Sequence, residues 1–210
     1  MIKEIVVARY REDLGWLKIL PQDIRVTVYN KYFLEDIHLP NIGREAHTYL
    51  YHIIKNYDNL ADYTIFCQGA PLDHCPTLFE KLEMPFENDS GVIWLNKPEQ
   101  ESPENIYSFS AWQHPLGLPV GYFLSFLLHI DINIASEIRF PYGAQYIVHK
   151  NNILNRPKDF YEFLIKFLLD PSENCAIQEA CLFERLWPYI FDKDLKTKDK
   201  YKYFYENTNY

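Results

Sequence analysis

Short apolar runs that end in charge punctuate the first third of the chain. Lys3–Ala8 reads as a buried strand followed at once by Arg9-Tyr-Arg-Glu-Asp13. Leu14, Trp16, Leu17 and Leu20 suit a short helix stopped by Pro21, and Arg25–Tyr29 alternates as a second strand closing at Asn30-Lys31. From Asn41 the period changes. Ala46, Leu50, Ile53, Ile54 and Tyr57 recur at helical spacing, with Asn41 as the expected N-cap. This stripe is expected to face the core, leaving Glu45, Tyr49 and His52 on another, polar face. Tyr57-Asp58-Asn59 ends the helix. Tyr63–Cys67 is then a β-branched and aromatic strand leading into Gln68-Gly69-Ala70-Pro71, a turn by composition.

The middle of the chain is less regular. Pro98, Pro103, Pro115 and Pro119 predict long loops around Val92–Leu95, and loops of such length in a compact domain usually serve function. Tyr122–Leu128 is an apolar run followed by a loop at Asp131-Ile-Asn133, and Phe140–His149 holds a strand introduced by Pro141-Tyr-Gly-Ala-Gln145. Arg156-Pro157 opens a helix with the stripe Phe160, Phe163, Leu164, Phe167 and Leu168. A last helix carries Phe183, Leu186, Trp187 and Ile190, with Pro188 kinking or ending it. Alternating strands and helices predict an α/β fold around a mixed, mostly parallel sheet flanked by helices. The expected organisation is a single domain over residues 1–191 with a peripheral tail at 192–210.

Composition changes this picture little but excludes several functions. At 210 residues and 48% hydrophobic content the chain can bury a large core. Its 17 Tyr and 14 Phe supply side chains that pack and also present polar tips, as saccharide or nucleotide surfaces do, although aromatic cores use them too. A net charge of −8 argues against nonspecific nucleic-acid binding, which needs a basic field. No apolar run approaches the roughly 20 residues of a membrane-spanning helix, and Met1–Ala8 lacks a signal-peptide apolar region, so a cytoplasmic protein is expected. Cys67, Cys75, Cys175 and Cys181 form no CxxC pair and read as reduced thiols.

Four places combine residues with chemistry, of which Asp131-Ile-Asn133 matches an Asp-x-Asp metal pair only superficially, one acid being an amide, and reads as a loop. At Gly43-Arg44 a helix start and a guanidinium together suit a phosphate or carboxylate, unless Arg44 pairs with Glu12 or Asp13. On the turn after the Tyr63–Cys67 strand, Asp73 and His74 could ligate a divalent metal or act as acid and base, or only make local hydrogen bonds. By helical phase Glu184 lies at the edge of an apolar stripe, either as a general base or as a buried partner for an Arg, with Arg185 facing away from that stripe. His47 and His52 are five residues apart and do not share a face as a helical zinc pair would. P-loop, GxSxG and GxGxxG signatures are absent.

The segments Val6-Val-Ala-Arg-Tyr-Arg-Glu-Asp-Leu-Gly-Trp16, Val28-Tyr-Asn-Lys31, Leu39–Ile53, Phe66-Cys-Gln-Gly-Ala-Pro-Leu-Asp-His74, Tyr142-Gly-Ala-Gln145, Arg156-Pro157 and Glu184-Arg-Leu-Trp187 together resemble a family of uncharacterised function found in bacteria and fungi. The order of these motifs is in turn similar, remotely, to the GT-A nucleotide-sugar glycosyltransferases. That resemblance implies a three-layer α/β fold and transfer of a sugar from a nucleotide-sugar donor to a hydroxyl of a saccharide acceptor. It places Arg9, Tyr10, Glu12, Asp13, Asn41, Gly43, Arg44, Glu45, Gln68, Gly69, Gly143, Gln145 and Arg185 around the ligand. Asp73 and His74 would fall near a Mn²⁺ or Mg²⁺ position, and Glu184 or Asp73 would deprotonate the acceptor. Where those enzymes carry Asp-x-Asp, this chain has Gln68-Gly-Ala-Pro. Two other readings stay open: a noncatalytic carbohydrate-binding or interaction module on the same fold, and a glycoside hydrolase using Asp73 and Glu184 as carboxylates roughly 5 to 10 Å apart.

Overall fold

The computed structural model describes residues 1–32, 37–86, 92–95, 106–110, 120–132, 137–169 and 178–198. Of the positions singled out above, Asn133, Cys175, Pro98, Pro103, Pro115, Pro119 and the tail beyond 198 lie outside them.

The strands are β1 (Lys3–Arg9), β2 (Ile24–Asn30), β3 (Ile37–His38), β4 (Tyr63–Gln68), β5 (Val92–Trp94), β6 (Ile106–Ser110), β7 (Glu137–Pro141) and β8 (Tyr146–His149). Six of them form one sheet in the order β3-β2-β1-β4-β8-β5. β1 to β4 run parallel, and β8 is antiparallel to both its neighbours, so the sheet is mixed and mostly parallel, as expected. Buried on both faces, β1 and β4 read as continuous apolar runs. Val6, Phe66, Tyr146 and Val148 face one layer of helices, while Ile5, Val7, Ile65, Cys67 and Ile147 face the other layer.

The first layer contains α1 (Arg44–Asn56), α3 (Val120–Leu127), α5 (Lys158–Leu169) and α6 (Gln178–Ile190). The short α2 (Leu78–Glu83) and the 3-10 turn Gly15–Ile19 cover the opposite face; α4 (Lys150–Leu154) follows β8 directly. The result is a single three-layer α/β domain, consistent with a GT-A-like form.

Several local expectations change. Asn41 does not cap α1. The N-cap is Gly43, and it and Arg44 both take left-handed backbone angles, with φ of 55° and 47°. This double turn redirects the chain before the first helical N–H groups, so no side chain caps them. Nor is one face of α1 polar: Tyr49 and His52 are buried, because the helix packs on the sheet and on α5 and α6 at once. Tyr49 sits between Phe66 and Trp187, with ring centroids 4.8 and 6.0 Å away. Phe140–His149 is two strands rather than one. β7 leaves the main sheet to pair with β6, itself inside the segment expected to be loop, and Tyr142–Gln145 is the link between the two sheets. Arg185 is buried, with its guanidinium 4.6 Å from the centre of the Phe140 ring. This small second sheet packs against α6 and covers the side chain that helical phase alone would leave outward.

Pro188 lies inside α6, close to its end. A proline there cannot donate to the Glu184 carbonyl, which instead accepts the Tyr146 hydroxyl at 3.4 Å.

Candidate functional site

The sheet register brings the ends of three parallel strands level: Arg9 lies opposite Asn30, and Ala8 opposite Gln68. From β1 the chain builds outward to β2 and β3 on one side, then returns to place β4 on the other. The order therefore reverses between β1 and β4, and open α/β sheets hold ligands in the crevice outside the carboxyl ends at that point. The cleft found there has two lobes. One is lined by Ala8, Arg9, Tyr10, Glu12, Lys31, Asn41, Arg44, Glu45 and Gln68. The other is lined by Arg44, Glu45, Gln68, His74, Tyr142, Gly143, Cys181, Glu184 and Arg185.

In the first lobe the loop after β1 folds back on itself. The Arg9 guanidinium donates to the Glu12 carbonyl at 3.1 Å and to Asn30 Oδ1 at 3.2 Å, while Glu12 Oε2 accepts the Tyr10 and Arg11 amides at 2.6 and 3.0 Å. Glu12 also lies against Gly69, where a Cβ would come within 2.5 Å of Oε2. At the lip, Tyr10 and Tyr32 meet edge to face at 5.4 Å, with Arg11 4.0 Å from the centre of the Tyr32 ring. Lys31 is only 6% exposed. Its Nζ donates to the Ile42 carbonyl at 2.6 Å, and no described carboxylate lies within ion-pair distance of it. Burial pulls the Lys31 ammonium down to a pKa of about 8, with the Glu45 carboxylate opposing that shift.

Glu45 and Arg44 stand where the lobes join. Arg44 pairs with neither Glu12 nor Asp13; its described partner is Glu45, with Nε 3.8 Å from Oε2. Burial raises the pKa of the Glu45 carboxyl, its own backbone amide and then Arg44 oppose this, and the charge of Glu184 adds to the rise. Two carboxyl groups from different helices thus sense one another across the cleft.

The second lobe is built on the link between the two sheets. Gly143 takes φ of +96°, and its N–H donates to Glu184 Oε1 at 2.8 Å. Glu184 Oε2 accepts Arg185 Nη1 at 2.9 Å, and Gln68 Nε2 donates to the Gly143 carbonyl at 3.1 Å. His74 packs on Gly143 and meets the Tyr142 ring edge-on at 4.8 Å. Behind this row the buried Gln145 ties the end of β4 to the following turn, accepting the Gln68 amide at 3.3 Å and donating to the Pro71 carbonyl at 3.1 Å.

The structure therefore gathers Arg9, Tyr10, Glu12, Asn41, Arg44, Glu45, Gln68, His74, Gly143, Glu184 and Arg185 around one cleft. Gly43, Gly69 and Gln145 support it from behind. Asp13 and Asp73 are exposed and do not line it; Asp13 Oδ1 accepts the Gly15 amide at 3.0 Å. Lys31, Tyr142 and Cys181 line the cleft although the sequence reading did not place them at the ligand. For Lys31 the signal was available, since it follows β2 as the Arg9–Asp13 run follows the core of β1. Nor does the donor set fit a divalent cation at Asp73 and His74. Among the described residues no three His, Cys, Asp or Glu side chains gather, and Glu12 and Glu184 already accept protein N–H groups.

A family model described as a protein of unknown function (DUF3431) matches residues 5–90 and 73–206 of the chain. No curated protein and no solved structure matches it.

Proposed function

We propose, for a chain that belongs to the DUF3431 family, that the cleft binds a nucleotide sugar and transfers its sugar to a hydroxyl of a saccharide acceptor. The observation that carries this reading is the convergence of Arg9, Lys31 and Arg44 on a crevice at the reversal of strand order. Cations in that position suit the diphosphate of a donor, and the exposed Tyr10–Tyr32 pair at the lip offers a surface for a base. Reduced Cys67, Cys75 and Cys181 go with a cytoplasmic setting, where nucleotide sugars are made.

In the proposed reaction Glu184 takes the proton of the acceptor hydroxyl, whose oxygen forms the new bond to the anomeric carbon. The bond from that carbon to the diphosphate breaks, and Arg44 offsets the charge left on the leaving group. No step is routed through a divalent cation, because Asp73 and His74 do not present a fitting donor set to the cleft.

The first test is a thermal-shift panel of nucleotide sugars, followed by an assay of sugar transfer to saccharide acceptors. Stabilisation by one nucleotide class, with transfer lost in Glu184→Gln, supports a transferase. Binding without any transfer by the unaltered protein would leave the noncatalytic module, and release of free sugar from a glycoside would leave the hydrolase. The hydrolase pairing first considered is weakened, because exposed Asp73 does not share the cleft with Glu184.

A further inference from the structure

Building on the donor-binding reading above, we infer that the diphosphate of the donor is held by Lys31 together with Arg44, in place of the divalent cation that paired acids would hold after β4. Three independent observations converge on this. The first is Lys31 itself, a lysine almost wholly removed from water whose ammonium has one carbonyl partner at 2.6 Å and no described carboxylate at ion-pair distance. Burying a charged group is costly unless it is paired, and an ammonium has three donors, so two remain for an anion in the lobe it lines. The depressed pKa of Lys31 follows from the same burial, and an anion placed against it would reverse that shift.

The second is the end of β4. The strand closes in Gln68, whose side-chain amide donates to the Gly143 carbonyl, so the position holds a neutral hydrogen-bonding group. The third is the condition of the carboxylates that do reach the cleft. Glu12 accepts two backbone amides, Glu184 is held by Gly143 and Arg185, and burial favours the protonated form of Glu45. A metal at either Glu184 oxygen or at Glu12 Oε2 would compete with these donors, whereas a diphosphate needs donors, which Lys31 and Arg44 supply. Arg44 is 60% exposed at its side chain and can swing from Glu45 onto a phosphate, while the Lys31 ammonium in the same lobe is tied to the Ile42 carbonyl.

The experiment is calorimetric titration of the full chain with uridine, guanosine and adenosine diphosphates and with inorganic pyrophosphate. Each is run in EDTA and in Mg²⁺ or Mn²⁺. The expected result is binding of at least one nucleoside diphosphate in EDTA, strengthened less than about threefold by either metal. Lys31→Met should weaken that binding about tenfold or more, the loss of a charge-assisted contact, and Lys31→Arg should restore most of it. Circular dichroism melts of both variants confirm folding, and Arg44→Gln provides a surface variant with the same expected loss. Binding that appears only with metal overturns the inference and leaves the transferase reading standing. Undiminished binding by a folded Lys31→Met also overturns it. No binding of any probe in either condition overturns both.

Discussion

Glu184 shows what single residues contribute and how far they could be foreseen. Both its oxygens are engaged in the free protein, one by the Gly143 amide and one by Arg185, which fixes the carboxylate toward the second lobe. Glu184→Gln keeps the shape and removes the carboxylate proposed as the base, so on the transferase reading transfer should fall about 10²- to 10⁴-fold while nucleotide binding, measured by calorimetry, changes little. A parallel loss of binding would instead mark a residue that only builds the lobe. Gly143 is the counterpart on the backbone side. It holds φ of +96°, and a Cβ would lie 2.7 Å from the His74 ring, so Gly143→Ala combines backbone strain with a clash. We expect a loss of about 1 to 3 kcal/mol in urea melts, together with weakened placement of Glu184. Helical phase had placed Glu184 at an apolar edge, and that reading matches its half-buried state. The same phase turned Arg185 outward, because a single helix carries no information about the β7 sheet that covers it. Asp73 drew attention through its neighbour His74, yet the short 3-10 turn Pro71–Asp73 leaves it exposed and presents only His74 to the cleft.

At the scale of the element, α1 carries the clearest test. Its apolar spacing was legible, and Ala46, Leu50 and Ile53 are buried as expected. The same helix also buries His47 and His52, whose Nδ1 and Nε2 respectively have no hydrogen-bond partner among the described residues. Periodicity could not show this, since it depends on three partners closing around the helix. Burial lowers both pKa values to about 4, helped by Lys31 at His47; at His52 Glu4 opposes the shift and Arg25 adds to it. His52 Nδ1 also faces the Tyr29 hydroxyl at 3.0 Å and the Asn56 amide at 3.3 Å. The folded state therefore binds fewer protons than the unfolded chain between the usual histidine value of about 6.5 and about 4. Stability contributed by the neutral rings is complete above that window and is lost as pH falls through it. In that window each histidine should add about 1.4 kcal/mol per pH unit to the slope of unfolding free energy. Urea melts between pH 7.5 and 4.5 measure that slope, and replacing both histidines with glutamine should flatten it. An unchanged slope in a folded double variant would assign the acid sensitivity elsewhere.

At the scale of the whole molecule, the sequence announced an α/β domain with a polar sheet edge, because charged residues follow β1 and β2. It did not announce that β8 enters the sheet antiparallel between β4 and β5, since that pairing joins residues far apart along the chain. Arg156 was read only as the residue before a helix-opening proline, yet it is wholly buried and ties distant parts together. Its guanidinium donates to the carbonyls of Tyr189 and Ile190 at the end of α6, to Asp192, and to Leu195 and Thr197 beyond. The Tyr189 and Ile190 carbonyls are among those the end of a helix leaves unpaired, Thr197 accepts through its hydroxyl, and a cation there also meets the negative end of the helix dipole. Thr197 continues the tie by bridging to Leu128 at the end of α3, with the His129 amide donating to Lys196 at 2.7 Å. The position of α6 sets that of Glu184 against Gly143, so this hub is coupled to the cleft without touching it. Arg156→Met should therefore cost about 3 kcal/mol, because the buried Ile190 carbonyl and three half-buried ones lose their donor at once. Chemical denaturation measures that loss, and limited proteolysis should cut first between 192 and 198. If the variant melts like the parent while its C-terminal segment is cleaved, Arg156 fastens only that segment. If both change together, α6 and the second lobe depend on it, and nucleotide binding in the first lobe should survive better than transfer.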